Sequence, residues 1–441
     1  MIKLRFLLAA ALLSTSVGVH AANYTPTSPL IQIGDDIDIL FDSSLAFEVT
    51  DNLFTAAKGT SSVMTTFTPG LTLEYGKESP VALTLSAKRG YVYFNKSTLA
   101  SLEDERDALS GNLCLASGGP LTVTLDSSYR VTARNDELSA QGITGSIIGS
   151  TLVRQSNYAH NLDVEYKLTE RTKVNIGFAN TYNKYLNATQ LRVKSSLNPS
   201  NPFFDTIQNN TNTLTALNNK SIPVSIDYQA PGEKITYGLK FQHDVTDYAP
   251  APFWKQVGTG TVDPATLVPV TTNPGPLASQ LVKSFYGLTA KGQPTSSGKL
   301  NVTAKVGYAV SRTDNQPSGG IPSYSVNVSH TLSELITHSI VLSRDISASA
   351  AGATQAVRSY TYATNFNAAT DLTLNLLVTK SDVNAGGLGV NTMVYTLGAN
   401  YKYNPHLSLQ FGYNFMNTDI PATPAASFSA NTFTASAAFR F

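Results

Sequence analysis

A transmembrane, all-β, antiparallel up-and-down barrel of about 18 strands is the fold this 441-residue chain predicts. Three features carry that prediction. Segments of about ten residues alternate apolar and polar side chains. The connections between them alternate short and long. The chain also opens on a segment built like an export signal.

The N-terminal segment, MIKLRFLLAAALLSTSVGVHAA, places Lys3 and Arg5 ahead of an apolar run from Phe6 to Leu13. Small residues follow and end in Val-His-Ala at 19–21. This order predicts a secretory signal peptide over residues 1–21, cut after Ala21. The run is too short to span a bilayer as a helix. Residues 22–35 then form a short periplasmic N-terminal segment, and residues 36–441 the barrel. No later stretch offers 18 consecutive apolar residues, so the sequence carries no membrane helix.

Composition agrees with half-buried strands. Charged residues make up 14% of the chain, below the roughly 25% of a soluble domain. The hydrophobic fraction is nevertheless an ordinary 42%, and small polar residues fill the difference. Tyr (21) and Phe (19) are abundant. Net charge is +1, and without Lys3 and Arg5 the 31 basic residues fall to 29 against 30 acidic. Nothing in this balance points to nucleic acid. The single cysteine, Cys114, excludes an intramolecular disulfide and reads as a small core or lipid-facing residue.

The strands follow in order. NLDVEYKL sets Leu162, Val164, Tyr166 and Leu168 on one face and Asn161, Asp163, Glu165 and Lys167 on the other. KVNIGFAN and KLNVTAKVGYAV repeat the pattern, and PHLSLQFGYNF gives Leu407, Leu409, Phe411, Tyr413 and Phe415 against His406, Ser408, Gln410, Gly412 and Asn414. No 3.6-residue periodicity persists. Short turns are expected at GKES, SGGP, LTER, APGE, GQPTSSG, TLSEL, NAAT and YNPH. Longer connections are expected near 51–60, 96–106, 134–153, 187–220, 249–279, 313–320, 385–391 and 419–429, with a brief one near 350–354. Short periplasmic turns on one side and longer extracellular loops on the other describe a meander standing across a membrane. Helices being absent, only a closed barrel pairs every backbone group in hydrocarbon. A secreted β-sandwich would bury one face of each strand against a second sheet and would need no such loop asymmetry. Tyrosines near strand ends, at 91, 93, 182, 185, 360, 362, 401 and 403, suit the headgroup level.

The final segment, NTFTASAAFRF, alternates Phe433, Ala435, Ala437, Phe439 and Phe441 against Thr434, Ser436, Ala438 and Arg440. This predicts a closing strand whose odd residues meet lipid. Phe441 resembles the C-terminal aromatic that outer-membrane barrels present to their assembly machinery. Over the first hundred residues, Asp51-Asn52-Leu53-Phe54, then TPGLTLEYG, then a strand closing on aromatics resemble the family of β-barrel porins of type 2. That resemblance implies a bacterial outer-membrane β-barrel, found near exopolysaccharide functions. Beyond that stretch the likeness is architectural, and no functional residue is carried over from it.

A barrel of this strand number leaves an aqueous lumen. Alternation aims Glu48, Glu74, Asp126, Asp163 and Glu165 inward, together with Lys88, Arg130, Lys167, Lys173, Lys240, Lys305, Lys402 and Arg440. This set leans positive and reads either as a mild preference for anionic or polar solutes or as mixed charges that wet the wall and pair across strands. Two long connections, about 195–220 and 249–280, carry Phe203 and Phe204, and Phe253 and Trp254. Apolar residues in such loops need a home, either folded in as a constriction or packed over the mouth. The histidines at 160, 243, 330, 338 and 406 are scattered and lie in no catalytic motif, so no enzyme is expected. The Asp35, Asp36, Asp38 and Asp42 cluster lacks calcium-loop spacing, and GGLGVNT at 386–392 reads as a flexible loop, not a phosphate cradle. No cofactor or metal is expected. Partners are outer-membrane lipid, the outer-membrane assembly machinery and, on the resemblance alone, polysaccharide export components; the sequence shows no oligomer interface. The functional expectation is a passive outer-membrane channel for small polar solutes or oligosaccharides. The alternatives are an exopolysaccharide export barrel working with periplasmic partners, and a closed structural or adhesive barrel.

Overall fold

A computed structural model describes residues 29–441 except 57, 77–78, 116–118, 134–151, 186–189, 194–205, 210–215, 249–256, 263–268, 273–279, 296, 314–315, 349–353, 386–387 and 423. The expected signal peptide and residues 22–28 thus lie outside the described residues. One 19-stranded antiparallel sheet holds nearly all the regular structure. The short strand Ile31–Ile33 only folds back onto the first wall strand. The other 18 are the wall: β1 Ile37–Thr50, β2 Ser62–Tyr75, β3 Val81–Phe94, β4 Asp104–Leu115, β5 Leu121–Ala133, β6 Arg154–Lys167, β7 Thr172–Tyr185, β8 Leu217–Gln229, β9 Ile235–Tyr248, β10 Gln280–Gly292, β11 Leu300–Thr313, β12 Gln316–Thr331, β13 Ile336–Ala348, β14 Thr354–Asn367, β15 Leu372–Ala385, β16 Leu388–Asn404, β17 Leu407–Asp419 and β18 Phe428–Arg440.

Each strand pairs with the next, and β18 returns to β1 from Asp42↔Arg440 to Thr50↔Thr432. The last residue takes part in the closure. Phe441 N–H donates to Phe41 O at 3.0 Å, and Phe41 N–H donates to Phe441 O at 2.7 Å. The Phe441 ring stacks on His406, with centroids 4.9 Å apart. The sheet is a closed ring with no open margin, the one sheet form whose backbone groups are all paired without water.

Alternation sorts the side chains by face. Phe47, Phe67, Leu85, Leu109, Ile176, Ile226, Leu239, Leu288, Val306, Leu397, Phe411 and Phe433 all lie exposed on one side. That belt runs round the whole ring, far beyond the few hundred Å² of apolar patch typical of soluble surfaces. The opposite face is concave, because its long side chains meet across intervening strands. Lys305 reaches from β11 over β10 to Gln242 on β9, and Arg440 on β18 reaches over β1 to Glu74 on β2. Aromatic ladders ride the outer face. Tyr129, Tyr158 and Tyr182 are directly paired on β5, β6 and β7, with ring centroids 4.6 and 6.2 Å apart. Tyr182 and Tyr185, three residues apart in one strand, face opposite sides, so the two do not form one girdle pair.

The short turns fall where expected. Gly76 supplies one of them at φ 68°, where a Cβ would come within 2.1 Å of Val81 O. Four long connections need correction, the one expected at 96–106 because β4 begins at Asp104. The 187–220 connection ends earlier, since β8 begins at Leu217. The connections expected at 313–320 and 385–391 shrink to residues 314–315 and 386–387, because β12 and β16 run to 16 and 17 residues. Pro317, Gly319 and Gly320 of PSGG and Gly389 of GGLG read as turn signals, yet sit in extended strands. Gly320 shows why: a Cβ there would lie 2.5 Å from the Tyr308 ring of the neighbouring strand. Cys114 falls on the inward face, opposite Thr124 and Ala82, and so is neither lipid-facing nor packed in a core.

Phe285 sets the packing of the inner wall. It is 1% exposed and lies over two directly paired glycines, Gly287 and Gly307. A Cβ at Gly307 would come within 2.1 Å of Tyr286 O and 2.7 Å of Phe285 Cζ. Ala309, Ile346 and the half-buried Ile321 complete the cluster, and Lys305 Nζ stands 3.5 Å above the ring. Such burial contributes about 2 kcal/mol for the ring. Gly307→Val is expected to lower barrel stability by about 2 kcal/mol through overpacking. Urea titration of the heat-modifiable folded band on a gel measures that loss, with Gly389→Val, where a Cβ meets nothing within 4 Å, as the near-neutral control.

Candidate pore and its inner wall

All thirteen inward candidates lie on wall strands and on the face opposite the exposed apolar belt: Glu48, Glu74, Lys88, Asp126, Arg130, Asp163, Glu165, Lys167, Lys173, Lys240, Lys305, Lys402 and Arg440. The structure gathers Glu74, Lys88, Asp126, Asp163, Glu165, Lys173, Lys305 and Arg440 into local networks. On β18, β1, β2 and β3, Arg440 binds Asp42 at 3.1 Å and Glu74 at 2.8 Å, while Lys88 lies 3.8 Å from the same Asp42. Thr72 donates its hydroxyl to Asp42 as well. Along β6 to β8, Lys173 binds Glu165 at 2.9 Å, and Asn175 donates to Asp227 at 2.8 Å. On the opposite flank Asn161 donates to Asp163, and Asn112 donates to Asp126 at 2.5 Å.

Half a circumference from Arg440, a denser network includes residues the sequence did not single out. Lys283 on β10 binds Asp244 on β9 at 3.1 Å and Asp345 on β13 at 3.3 Å. Gln242 donates to Asp244 at 2.8 Å and to Ser221 at 3.2 Å, and Lys305 donates to Gln242 Oε1 at 3.4 Å. Ser323 donates its hydroxyl to Asp345 at 3.1 Å. The Asp244 side chain is 5% exposed and that of Lys283 13%. Asp345 faces inward by the alternation that sets Leu342 and Arg344 outward, and the β12–β13 ladder stops just short of it, at Tyr324↔Arg344. Just beyond lies Pro322, which has no N–H to offer β13. Ile346, freed from β12, departs from that alternation and buries with Phe285 and Ala309, and Lys283 also donates to Ile346 O at 3.2 Å.

The wall is therefore mixed in sign and locally neutralised. The positive lean read from the sequence omitted Asp227, Asp244 and Asp345, and counted Lys88, Lys173 and Arg440 without their partners. Alternation hid Lys283, because β10 carries apolar residues on both faces: Leu281 and Phe285 inward, Tyr286 and Leu288 outward. Asp345 lies on the inward parity of its strand, but no residue pattern marks its meeting with Lys283 three strands away.

The mouth bears a packed cap. Phe54, Met64, Val92, Phe94, Leu99, Ala133 and Leu152 form one buried cluster at the long-loop end. Asn52 holds the β1–β2 connection in shape. Its side-chain amide donates to Ala56 O at 2.8 Å and to Ser429 O at 2.9 Å, and its Oδ1 accepts from Ala56 N–H at 3.0 Å. Asp51 accepts from Asn431 N–H at 2.7 Å, tying the same connection to β18 across the closure. Phe203, Phe204, Phe253 and Trp254 lie outside the described residues. The two longest connections do contain short antiparallel ladders, Gln190–Val193 with Thr206–Asn209 and Val257–Val262 with Pro269–Thr272.

The histidines are on the outer wall or at turns. His160 shares a hydrogen bond with Ser127, His243 with Ser284 and His338 with Tyr362, each at 3.0 Å. Each is a cross-strand bond that satisfies a ring nitrogen on the outer face. Among the described residues no three His, Cys, Asp or Glu side chains are grouped to hold a metal ion.

No family model matches the chain, and no curated protein matches it. Solved structures with similar shape include the outer-membrane protein OpdK of Pseudomonas aeruginosa. It is 12% identical, with 92% of this chain and 99% of that one covered, at a TM-score of 0.45. The FrpB iron transporter of Neisseria meningitidis is 10% identical over 86% of this chain and 62% of its own, also at 0.45. A mutant of the ferric enterobactin receptor PfeA of Pseudomonas aeruginosa is 9% identical over 93% and 81%, at 0.45. At these scores the barrel assignment rests on the strand pairings and not on the likenesses.

The two kinds of ion pair predict unequal costs. Lys283→Ala strips the buried Asp244, 5% exposed, of its cation and leaves it beside Asp345, and lowers stability by about 3 kcal/mol. Lys173→Ala breaks a pair whose side chains are 43% and 34% exposed and shifts it by no more than about 0.5 kcal/mol. Urea midpoints of the two variants decide, and equal midpoints contradict the difference in burial.

Proposed function

We propose that the protein is a bacterial outer-membrane channel for the passive passage of small polar solutes or oligosaccharides. The observation that carries this reading is the two-faced closed ring: apolar all round outside, hydrogen-bonded and charged all round inside. Hydrocarbon is the solvent the outer belt fits, and water the solvent the inner wall fits. At 18 strands a barrel exceeds the size at which side chains alone fill the interior. Cleavage after Ala21 and assembly through the terminal aromatic Phe441 are the export and insertion steps this reading requires.

Local pairing of the inner charges supports a weakly selective pore, since selectivity arises from unneutralised rings of charge at a constriction. It also removes the chief support for the export of an anionic polymer, which was the positive lean of the wall. The resemblance of the first hundred residues to type 2 β-barrel porins fits either cargo.

Purified protein in a planar bilayer is expected to give discrete conductance steps with a cation-to-anion permeability ratio within about threefold of unity. Deleting 195–216 or 249–279, which leaves the wall strands intact, is expected to raise the step size or to open a silent channel. Silence from the full chain and from both deletions contradicts the channel and favours a permanently filled barrel.

A further inference from the structure

On the outer face, near the loop-bearing ends of β13 and β14, two arginines stand directly opposite each other. Arg344 and Arg358 are cross-strand partners. Side chains so paired lie about 5 Å apart at Cβ, and like charges there repel. Neither has an ion-pair partner among the described residues; Arg344 Nε is enclosed with no hydrogen bond, and Arg358 is exposed. A third cation, Lys380, lies one strand further on, opposite Tyr360. Among the described residues the nearby acid on this face is Asp382, directly opposite Arg358, but its carboxylate contacts Lys380, at 3.6 Å. The patch therefore carries a net positive charge with no anion between the arginines.

Its height on the wall identifies the missing anion. Going toward the loops, the last outward apolar side chain on β13 is Leu342, and the last ring on β14 is Tyr360. Each arginine follows by two residues, about 6.7 Å along the strand. Hydrocarbon thus ends where the cations begin, which is the headgroup layer of the leaflet on the long-loop side. Guanidinium groups bind phosphate bidentately, and two facing ones fit a doubly charged phosphomonoester better than a single diester charge.

We propose that Arg344 and Arg358, with Lys380, form a binding site for the phosphomonoester headgroup of a phosphorylated glycolipid in the outer leaflet. Binding removes the repulsion between the arginines and fixes the barrel's depth in the membrane. The proposal rests on the membrane reading above, and the experiment separates the two.

Full-length mature protein in detergent is exposed to bis-phosphorylated lipid A, to its dephosphorylated form and to phosphatidylglycerol, and retained lipid is counted by native mass spectrometry. The expected result is retention of the phosphorylated glycolipid and at least about tenfold lower occupancy in Arg344→Gln/Arg358→Gln, one lost charge-assisted contact being worth that much. Arg344→Lys/Arg358→Lys recovers part of it, and 10 mM inorganic phosphate does not displace the lipid. Equal retention by the Gln variant, equal retention of the dephosphorylated lipid or displacement by phosphate overturns the proposal. Insertion into lipid vesicles, read by the heat-modifiable gel shift, is measured on the same samples. Failure to insert rejects the membrane reading itself, whereas normal insertion without lipid preference rejects only this site.

Discussion

Every feature of this molecule depends on one constraint: a backbone amide or carbonyl in hydrocarbon must find its partner within the protein. Eighteen strands meet it by closing on themselves, and the terminal residue completes the ring through its two bonds to Phe41. The constraint also governs where proline is tolerated. Pro69 and Pro223 fall in strand interiors, and the ladders β2–β3 and β7–β8 skip those positions before resuming in register. Pro322 ends a ladder outright, and the strand end released by that loss becomes part of the inner wall.

Closure creates two solvents for one sheet, and polar groups are handled differently in each. Inside, charges are frequent but neutralised by neighbours one to three strands away, a distance that concave curvature shortens. The network around Lys283 is the extreme case, with two carboxylates, an amide and two hydroxyls on one buried cation and its partners. Outside, several polar side chains are bonded across the strand and others are kept near an end. His160 and His243 each meet a serine on the adjoining strand, so a ring nitrogen that hydrocarbon would leave unsatisfied is paired. The facing arginines on β13 and β14 obey the second rule, standing just beyond the apolar belt.

The mouth shows a third use of apolar side chains. Phe54 and Leu99 come from connections rather than strands, yet bury against Met64, Val92 and Phe94 at strand tops. Asn52 and Asp51 bind this cap to the closing strand. The seam between first and last strands is thereby locked at both ends, by Phe441 below and by the β1–β2 connection above.

What the sequence determined by itself was everything that depends on period and polarity. Two-residue alternation sorts the thirteen candidates onto the face opposite the apolar belt, because in an extended chain parity alone decides the side. Turn chemistry located the short connections, since Gly76 and its counterparts adopt conformations few other residues accept. Tertiary structure decided what parity cannot encode. It determined which charges meet: Lys283 with Asp244 and Asp345, and Arg440 with Asp42 and Glu74, because curvature and register join residues far apart in the chain. It extended β12 through Gly320, which resembles a turn residue, because the Tyr308 ring of the neighbouring strand occupies the space a Cβ would need. It set Arg344 opposite Arg358, a pairing fixed by the register of two strands and invisible in either one alone.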